Sequence, residues 1–380
     1  MRCPSARRCM PPWATSKTAA TWRCRSAARR PVRRPPRAAV SWARWSGSST
    51  SSDGPAALDR TALQRNEPEH AMAPWHIGLI GFGEVGGIFG RALAAHPQVA
   101  GIHAWDLRFQ RDPAFRQRVP APIVAADSCD ALCARATLVI SAVTAANTLA
   151  VARQAALAIR PGAVFLDLNS ASPGVKRQAA QAIEAAGAHY LEAGVMTSVP
   201  PYGIRVPMLI GGTQAGTMAP ALAALGMDAR PVSGRIGIAS AIKMSRSILI
   251  KGLEALVIES YTNARRYGVE DHMLPTLAET FPGIDWPALG GYLFSRVAKH
   301  GQRRAEEMAE AARTVEETGI APILARAIAD KQQWVARLAA DGAFEGLSEQ
   351  DGWRAYSDRI IARTTEVPAP TPGHQDAQVN

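Results

Sequence analysis

The residues of this chain that are best suited to proton-transfer chemistry lie in one long apolar segment. Residues 239–267 contain no proline and stop before Gly268, which predicts a single helix with a glycine C-cap. A polar row occupies about 80° of this helix surface, and it consists of Lys243, Ser247, Lys251 and Glu254, flanked by Arg246. A lysine partly removed from water beside other cations has a lowered pKa, which suits proton exchange with a hydroxyl group. The alternative interpretation is a solvated helix face.

A second motif predicts a turn that binds a dinucleotide. An apolar run from His76 leads into GFGEVG, whose residues are Gly81, Phe82, Gly83, Glu84, Val85 and Gly86. The first glycine lets a strand turn sharply into a helix, the second lets a pyrophosphate approach the backbone, and the third lets helix and strand pack closely. The helix N-terminus then offers unpaired N–H groups and a positive dipole end to the phosphates. The alternative is a turn with a structural role only.

An acid at the end of the next strand favours NAD as the cofactor. The strand-like segment GIHAWD ends at Asp106, at the spacing of about 20 to 25 residues where an acid binds the adenosine ribose. A carboxylate there repels a 2′-phosphate, so NAD is favoured over NADP. Arg108 fits three interpretations: stacking on adenine, accommodating a phosphate, or a solvated loop position. Val143 and Thr144, where a later strand ends, complete the expected cofactor-binding set.

The order of segments predicts an α/β fold with two domains. Strand-like and helix-like segments alternate over residues 74–235, which is the pattern of a Rossmann-type, doubly wound parallel sheet. Residues 236–365 read as an all-helical domain for substrate binding and dimerisation. Within the first domain, residues 144–160 are expected to form one helix, and Ser172 is expected to cap another. The Pro-rich tail 366–380 is expected to be disordered.

Charge is distributed unevenly along the 380 residues. The net charge is +11, but residues 1–71 hold 14 Lys and Arg against 4 Asp and Glu, so the remainder is nearly neutral. This distribution argues against nucleic acid as a partner of the folded part. No apolar run approaches the length of about 18 residues that a membrane span needs, so no membrane association is expected.

The segment 1–71 is rich in Arg, Pro and Ser, shows no helical or strand periodicity, and is expected to be disordered. Three explanations compete: a transit peptide, a nucleic-acid-binding arm, or translation from a start codon set too early. The last is favoured because Met72 lies four residues before the first strand.

The cysteines indicate neither a metal site nor a disulfide framework. Three of the five, Cys3, Cys9 and Cys24, fall in the basic segment. Cys129 and Cys133 lie one helical turn apart without a second pair or a histidine cluster, which favours packing within a helix. A reducing, cytoplasmic location fits this usage.

Four motifs together resemble those of the β-hydroxyacid dehydrogenase superfamily, which includes 6-phosphogluconate dehydrogenase, over nearly all of residues 74–340. GFGEVGGIFG is similar to the N-terminal fingerprint of the family, and DLNS (Asp167 to Ser170) to the segment that places an asparagine beside nicotinamide and substrate. EAGVMTS (Glu192 to Ser198) is similar to the substrate loop, and IKM (Ile242 to Met244) to the catalytic-lysine motif.

The resemblance implies roles for individual residues. It implies that Lys243 is the general acid/base, that Asn169 lies at the reaction centre, and that Thr197 and Ser198 line the substrate pocket. It also implies a homodimer, since helical domains of this family commonly dimerise.

The chain departs from the family pattern at two places. Met196-Thr197-Ser198 replaces the usual Ser-Gly-Gly, and Arg246-Ser247 replaces the His-Asn or Asn-Asn pair after the lysine. Phosphogluconate is therefore not the expected substrate. The helical segments KGLEAL, NARRYGV and HGQRRAEEM are more like a subgroup whose substrates are mostly unassigned.

In the last of these segments, four residues share one helical face, namely His300, Arg303, Arg304 and Glu307. They fit either a binding site for a substrate carboxylate, including one across a dimer interface, or a network of surface ion pairs.

The leading hypothesis is an NAD(P)-dependent oxidoreductase that interconverts a small β-hydroxy acid and its carbonyl counterpart. Lys243 would handle the hydroxyl proton, while Arg246, Ser247 and Lys251 are expected to bind a carboxylate-bearing substrate. Three alternatives remain: reduction of a C=N bond, against which the retained lysine argues; NAD sensing without chemistry; and nucleic-acid binding through the basic segment.

Overall fold

The computed structural model describes residues 74–364, which form a sheet followed by a helical region. The strands are β1 (Trp75–Ile80), β2 (Val99–Trp105), β3 (Val124–Ala125), β4 (Leu138–Ser141), β5 (Val164–Asp167), β6 (His189–Val195), β7 (Met208–Gly211) and β8 (Ala229–Ser233). The helices are α1 (Glu84–Ala94), α2 (Pro113–Gln117), α3 (Cys129–Cys133), α4 (Thr148–Ala156), α5 (Pro173–Ala185), α6 (Ala215–Ala224), α7 (Ile238–Tyr267), α8 (Glu270–Thr280), α9 (Trp286–Glu316), α10 (Ile323–Ala340) and α11 (Gly352–Thr364). The basic extension 1–71, with Cys3, Cys9 and Cys24, and the tail 366–380 lie outside the described residues.

The eight strands lie in the order β3-β2-β1-β4-β5-β6-β7-β8. All pairs from β3 to β6 are parallel, which confirms the doubly wound sheet. The chain changes direction across the sheet between β1 and β4, and the loops that leave their carboxyl ends diverge to open a crevice. The glycine motif follows β1, and Val143 and Thr144 follow β4, so the predicted cofactor residues flank this crevice.

The far edge of the sheet departs from the parallel pattern. β7 runs antiparallel to β6, while β8 runs parallel to β7. The chain between β6 and β7 contains a single 3-10 turn, Gly203–Arg205, and no helix that crosses the sheet. A strand that returns without a crossover lies antiparallel to its predecessor. α6 then provides the crossover that makes β8 parallel to β7.

Apolar side chains cover both faces of the sheet. One face packs against α1 and α6 through side chains such as Phe89 and Leu222, and the other packs against α3, α4 and α5. Cys129 and Cys133 are buried free thiols of α3, which confirms their predicted packing role. Residues 74–364 contain no cluster of three or more His, Cys, Asp or Glu side chains that could hold a metal ion.

Two local predictions in the sheet region can be compared with the structure. The expected helix over 144–160 is shorter at both ends, because a 3-10 turn (Ala145–Asn147) precedes α4 and α4 ends at Ala156. Thr144 Oγ1 accepts a hydrogen bond from Asn147 Nδ2 at 2.8 Å, a local side-chain bond of the kind that competes with helix formation. Ser172 caps α5 as predicted, since its hydroxyl accepts from the Val175 N–H and Pro173 begins the helix.

The long helix α7 extends for 30 residues and ends at Gly268, whose φ of 66° gives the left-handed C-cap expected from the sequence. It packs against α9, α10 and α11 around an apolar core that includes Tyr261, Phe294 and Trp353. Within the described range, none of the helices is both long and apolar enough to cross a bilayer.

Candidate active site

The glycine motif has the geometry that each of its glycines predicts. Gly81 has a φ of 90°, and a Cβ there would lie 2.4 Å from the Ala142 carbonyl oxygen. A Cβ on Gly86 would lie 2.0 Å from the Gly81 carbonyl oxygen, so helix and strand touch at this point. A Cβ on Gly83, by contrast, would meet no protein atom within 4 Å. The first and third glycines are thus required by the fold, whereas the second leaves open space.

The open space at Gly83 fits a dinucleotide. Gly83 is the N-cap of α1, and no side-chain hydrogen bond caps that helix. Glu84 and Val85 form its first turn, where backbone N–H groups have no partner within the helix. Exposed N–H groups at the positive end of an 11-residue helix form an anion site. These residues would hold the pyrophosphate of a nicotinamide dinucleotide.

Asp106 lies at the end of β2, as its predicted role at the adenosine ribose requires. Its Oδ2 accepts a hydrogen bond from the Phe82 N–H at 2.8 Å, which ties the carboxylate to the glycine motif. Its Oδ1 accepts from the Arg108 N–H at 2.9 Å and lies 3.3 Å from the Arg108 Nε. The guanidinium also stacks over the Phe115 ring, 3.6 Å from its centroid. Arg108 therefore pairs with Asp106, while 54% of its side chain remains exposed.

Asn169 links two strand ends beneath the crevice. Its Oδ1 accepts from the Val143 N–H at 2.7 Å, and its Nδ2 donates to Ser141 Oγ at 3.0 Å. Both functional groups of the buried amide are therefore used within the protein. In this structure Asn169 positions the loop after β4, including Val143 and Thr144.

Asp167 anchors the DLNS segment from below. It forms an ion pair of 2.9 Å with Lys176 Nζ, and both side chains are fully buried. Its carboxylate also accepts from Tyr190 Oη at 2.5 Å and from the Asn169 N–H at 2.9 Å. Burial and the negative charge of Asp167 raise the pKa of the Tyr190 hydroxyl well above its usual value, so Tyr190 acts as a donor. This network fixes the segment that carries Asn169 and Ser170.

Glu192 fixes the start of the helix that carries the lysine. Its buried carboxylate accepts from the N–H groups of Gly237 at 2.7 Å and Ala239 at 3.0 Å, and from the Ser240 hydroxyl at 2.5 Å. A carboxylate on the first N–H groups of a helix satisfies donors that have no partner within it and complements the dipole. Gly194 on the same strand allows close packing, because a Cβ there would lie 2.9 Å from the Ala239 carbonyl oxygen.

Lys243 meets the DLNS segment across the cleft between sheet and helices. Its half-buried ammonium donates a short hydrogen bond to Ser170 Oγ. Burial lowers the pKa of Lys243 to about 8; Glu307 works against this shift, and Lys176, Lys251 and Arg303 add to it. A lysine with this pKa exchanges protons near neutral pH, as a general acid/base must.

The rest of the polar row is buried rather than solvated. Ser247 is 8% exposed and lies one turn beyond Lys243. Lys251 Nζ forms an ion pair of 2.9 Å with Glu307 of α9. Although burial works to raise the pKa of Glu307, the ammonium groups of Lys251 and Lys243 bring it down to about 2. The solvated-face interpretation is therefore wrong for these residues.

The charged face of α9 pairs inward with α7. Arg304 Nη2 lies 2.8 Å from Glu254 Oε1, and both side chains are buried. Arg303 lies 3.7 Å from Glu307 and is half exposed. His300 and Arg303 line a pocket of about 450 Å³, whose wall also includes Thr144. The described network thus links α9 to the polar row and to the predicted cofactor loop.

The predicted substrate loop borders the same cleft. Thr197 is exposed and Ser198 is half-buried, directly after β6. Arg246 Nη1 donates to the Met196 carbonyl oxygen at 3.2 Å, so this exposed arginine connects the loop to α7. Arg246 is therefore near Thr197 in space as well as beside Ser247 in sequence.

Three residues of this arrangement carry structural roles that sequence patterns did not assign, namely Asp167, Lys176 and Glu192. Asp167 and Glu192 lie inside quoted motifs, and the signal available was a charged residue at the end of or within a strand that is otherwise apolar. Lys176 lay in a helix that reads as amphipathic, where a lysine predicts exposure.

Two family models match this chain. Residues 76–233 match the family model described as the NAD binding domain of 6-phosphogluconate dehydrogenase. Residues 264–335 match a domain of unknown function, DUF1932.

Three solved structures are similar to this chain. A conserved hypothetical protein from Sinorhizobium meliloti 1021 is 39% identical, with a TM-score of 0.62, covering 77% of this chain and 97% of that one. A conserved protein of unknown function, described as structurally similar to 3-hydroxyacid dehydrogenases, is 29% identical with a TM-score of 0.54, covering 70% and 98%. The 3-hydroxyisobutyrate dehydrogenase of Mycobacterium tuberculosis, solved with L-serine, is 19% identical with a TM-score of 0.56, covering 77% and 100%. At that identity the last similarity shows the fold alone.

Proposed function

Since this chain belongs to the 6-phosphogluconate dehydrogenase-like superfamily of NAD(P)-dependent oxidoreductases that act on CH–OH groups, we propose that it interconverts a small β-hydroxy acid and its carbonyl counterpart with Lys243 as general acid/base. The observation that carries this proposal is the half-buried Lys243 ammonium, bonded to Ser170 across the cleft. When bound, the nicotinamide cofactor supplies or accepts the hydride.

The protein residues have distinct parts in this proposal. In the oxidative direction, neutral Lys243 takes the proton of the substrate hydroxyl, and in the reductive direction its ammonium returns that proton. Asn169 holds the loop after β4 in place through its 2.7 Å bond to the Val143 N–H. Arg246 and Ser247 on α7, and Thr197 and Ser198 on the loop, surround the expected position of the substrate. Arg246 and Lys251 supply the positive charge that a carboxylate-bearing substrate requires.

NAD is the proposed cofactor in preference to NADP. Asp106 presents a carboxylate at the end of β2 and is held there by the Phe82 N–H at 2.8 Å. A carboxylate in that position accepts from a ribose 2′-hydroxyl and repels a 2′-phosphate.

We also propose a homodimer in a reducing cytoplasm. The outer surface of the helical region exposes large apolar side chains on two adjacent helices, at Leu249 and Leu256 of α7 and Ile323 and Leu324 of α10. Large apolar side chains exposed on neighbouring helices favour association. The buried free thiols Cys129 and Cys133 fit a compartment that keeps thiols reduced.

A cofactor-reduction assay tests the proposed reaction. The full-length protein is mixed with NAD⁺ or NADP⁺ and each member of a panel of β-hydroxy acids, including L-serine and 3-hydroxyisobutyrate, and absorbance at 340 nm is followed. We expect turnover with at least one acid, faster with NAD⁺. The corresponding α-hydroxy acids serve as a control. Cofactor binding without turnover on any acid, or faster turnover on α-hydroxy acids, would contradict the proposed substrate class.

A further inference from the structure

Glu307 is an acidic group that α9 brings to the polar row of α7, and the proposed reaction gives it no direct part. Its Oε2 lies 2.9 Å from Lys251 Nζ, with the Lys251 side chain 6% exposed and the Glu307 side chain 23% exposed. Its Oε1 lies 3.7 Å from Arg303 Nε. Charges withdrawn from water act on their neighbours with less screening than charges at the surface. Glu307 therefore acts on both lysines of this row, Lys243 and Lys251.

The charged groups that act on Lys243 come from three elements. α9 contributes Glu307 and Arg303, α5 contributes Lys176, and α7 itself contributes Lys251. Glu307 is the anion in this set, and the other three are cations. Lys176 already has a partner in Asp167, at 2.9 Å and fully buried. Arg246, on the same helix as Lys243, is exposed and bonded to the Met196 carbonyl oxygen.

We propose that Glu307 is a positioning residue that holds the Lys251 ammonium and, with its negative charge beside the polar row, offsets the cations around Lys243. This inference rests on the proposed role of Lys243. Lys251 is then held in one position of the site by its ion pair with Glu307. Glu307 acts through these two lysines and does not touch the reacting atoms.

The proposal predicts opposite effects for the two members of one ion pair. Glu307→Gln removes an anion, which should lower the pKa of Lys243 by about one unit. Lys251→Met removes a cation, which should raise the pKa of Lys243 by a similar amount. The double variant removes both charges and should return it close to the wild-type value. A merely structural role predicts something else, because both single variants break the same ion pair and should disturb Lys243 alike.

The pKa of Lys243 can be measured directly by NMR. The chain has only six lysines, namely Lys17, Lys176, Lys243, Lys251, Lys299 and Lys331. Full-length protein labelled with ¹³C at the lysine ε-carbon is titrated without substrate, and the Lys243 signal is assigned by its loss in Lys243→Met. Glu306→Gln is the matched control, since this neighbouring acid bonds Gln302 Nε2 at 3.0 Å instead of a lysine. We expect no shift in that variant.

Two outcomes would overturn the proposal. One is a Lys243 pKa in Glu307→Gln that equals the wild-type value, and the other is a shift of the same sign in both single variants. If Glu307→Gln does not fold, Lys251→Met can still be compared with the double variant. Removing Glu307 from Lys251→Met must reverse the rise in the pKa of Lys243. The titration does not depend on turnover, so the two proposals can fail separately. If the protein is inactive on every hydroxy acid but the pKa of Lys243 shifts as predicted in the variants, the proposed reaction is refuted and the role of Glu307 stands.

Discussion

Lys243 owes its chemistry to its surroundings rather than to its residue type. An exposed lysine holds its proton across the physiological range. Here burial lowers the pKa to about 8, and the carboxylate of Glu307 works against that shift. The hydrogen bond to Ser170 keeps the ammonium on the side of the sheet. One side chain can therefore serve both directions of an alcohol–carbonyl interconversion.

The pH dependence of the two directions should differ in sign. Oxidation needs neutral Lys243, so kcat/KM should rise about tenfold per pH unit below pH 8 and level off above it. Reduction needs the ammonium, so kcat/KM should be level below pH 8 and fall above it. Initial rates between pH 6 and 10 in both directions, at constant ionic strength, measure this. A profile that has the same slope in both directions would contradict the assignment of Lys243.

At the scale of elements, the three glycines of the turn differ in role. The fold requires Gly81 and Gly86, whereas Gly83 is the glycine that a bound cofactor would require. Gly83→Ala should leave the free energy of unfolding within about 1 kcal/mol of wild type, because its Cβ meets no atom within 4 Å. It should weaken NADH binding at least tenfold, since the added methyl occupies the space of the pyrophosphate. Urea unfolding and a fluorescence titration with NADH measure the two quantities.

Gly86→Ala is the matched comparison for that variant. Its Cβ would lie 2.0 Å from the Gly81 carbonyl oxygen, so helix and strand must separate. We expect a loss of about 1–3 kcal/mol in the free energy of unfolding. Wild-type NADH affinity in Gly83→Ala would show that the open space is not the pyrophosphate site.

Sequence patterns predicted the helices and strands well, but they did not predict the side-chain contacts that hold one element against another. Hydrophobic periodicity and capping residues predicted α7, its glycine C-cap at Gly268 and the Ser172 cap of α5. They missed that Glu192 of β6 caps α7, 45 residues further along the chain. Such contacts depend on tertiary packing, and periodicity within one element carries no information about them.

The same limit applies to the polar row. Its spacing on one face of α7 was visible, but a polar helix face predicts solvent as readily as a site. Only the packing of α9 against α7 reveals that Glu307 and Arg304 face this row. Glu307 lies 2.9 Å from Lys251, and Arg304 lies 2.8 Å from Glu254.

At the scale of the whole molecule, one carboxylate of α9 and one directly after it join the helical region to the sheet region. Glu310 accepts from the Ser172 N–H at 3.0 Å, and Glu317 accepts from the Gly174 N–H at 2.8 Å. Both acids therefore lie at the N-terminus of α5, where negative charge is stabilising. This contact holds α9, and with it Glu307, in a defined position relative to the DLNS segment.

The proposed dimer makes a prediction at this scale. Leu249 is 75% exposed on α7 and Leu324 is 72% exposed on α10. Leu249→Glu combined with Leu324→Glu should convert a dimer to a monomer, because a dimer interface would bury the new carboxylates without partners. Sedimentation at tens of micromolar protein measures the mass. Leu157→Glu, at an 81% exposed leucine after α4, is the control and should stay dimeric. A wild-type protein that sediments as a monomer would contradict the proposal.

The most direct test of the central claim compares wild type with Lys243→Met, using the best β-hydroxy acid found in the cofactor-reduction assay. Methionine is unbranched and apolar, so it fills the space of the lysine stem without the ammonium. We predict that kcat falls by about 10²- to 10⁴-fold, while the Kd for NADH, measured by fluorescence titration of the same samples, stays within about threefold of wild type. Turnover that survives in Lys243→Met, or that is lost together with NADH binding, would contradict the assignment of Lys243 as the general acid/base.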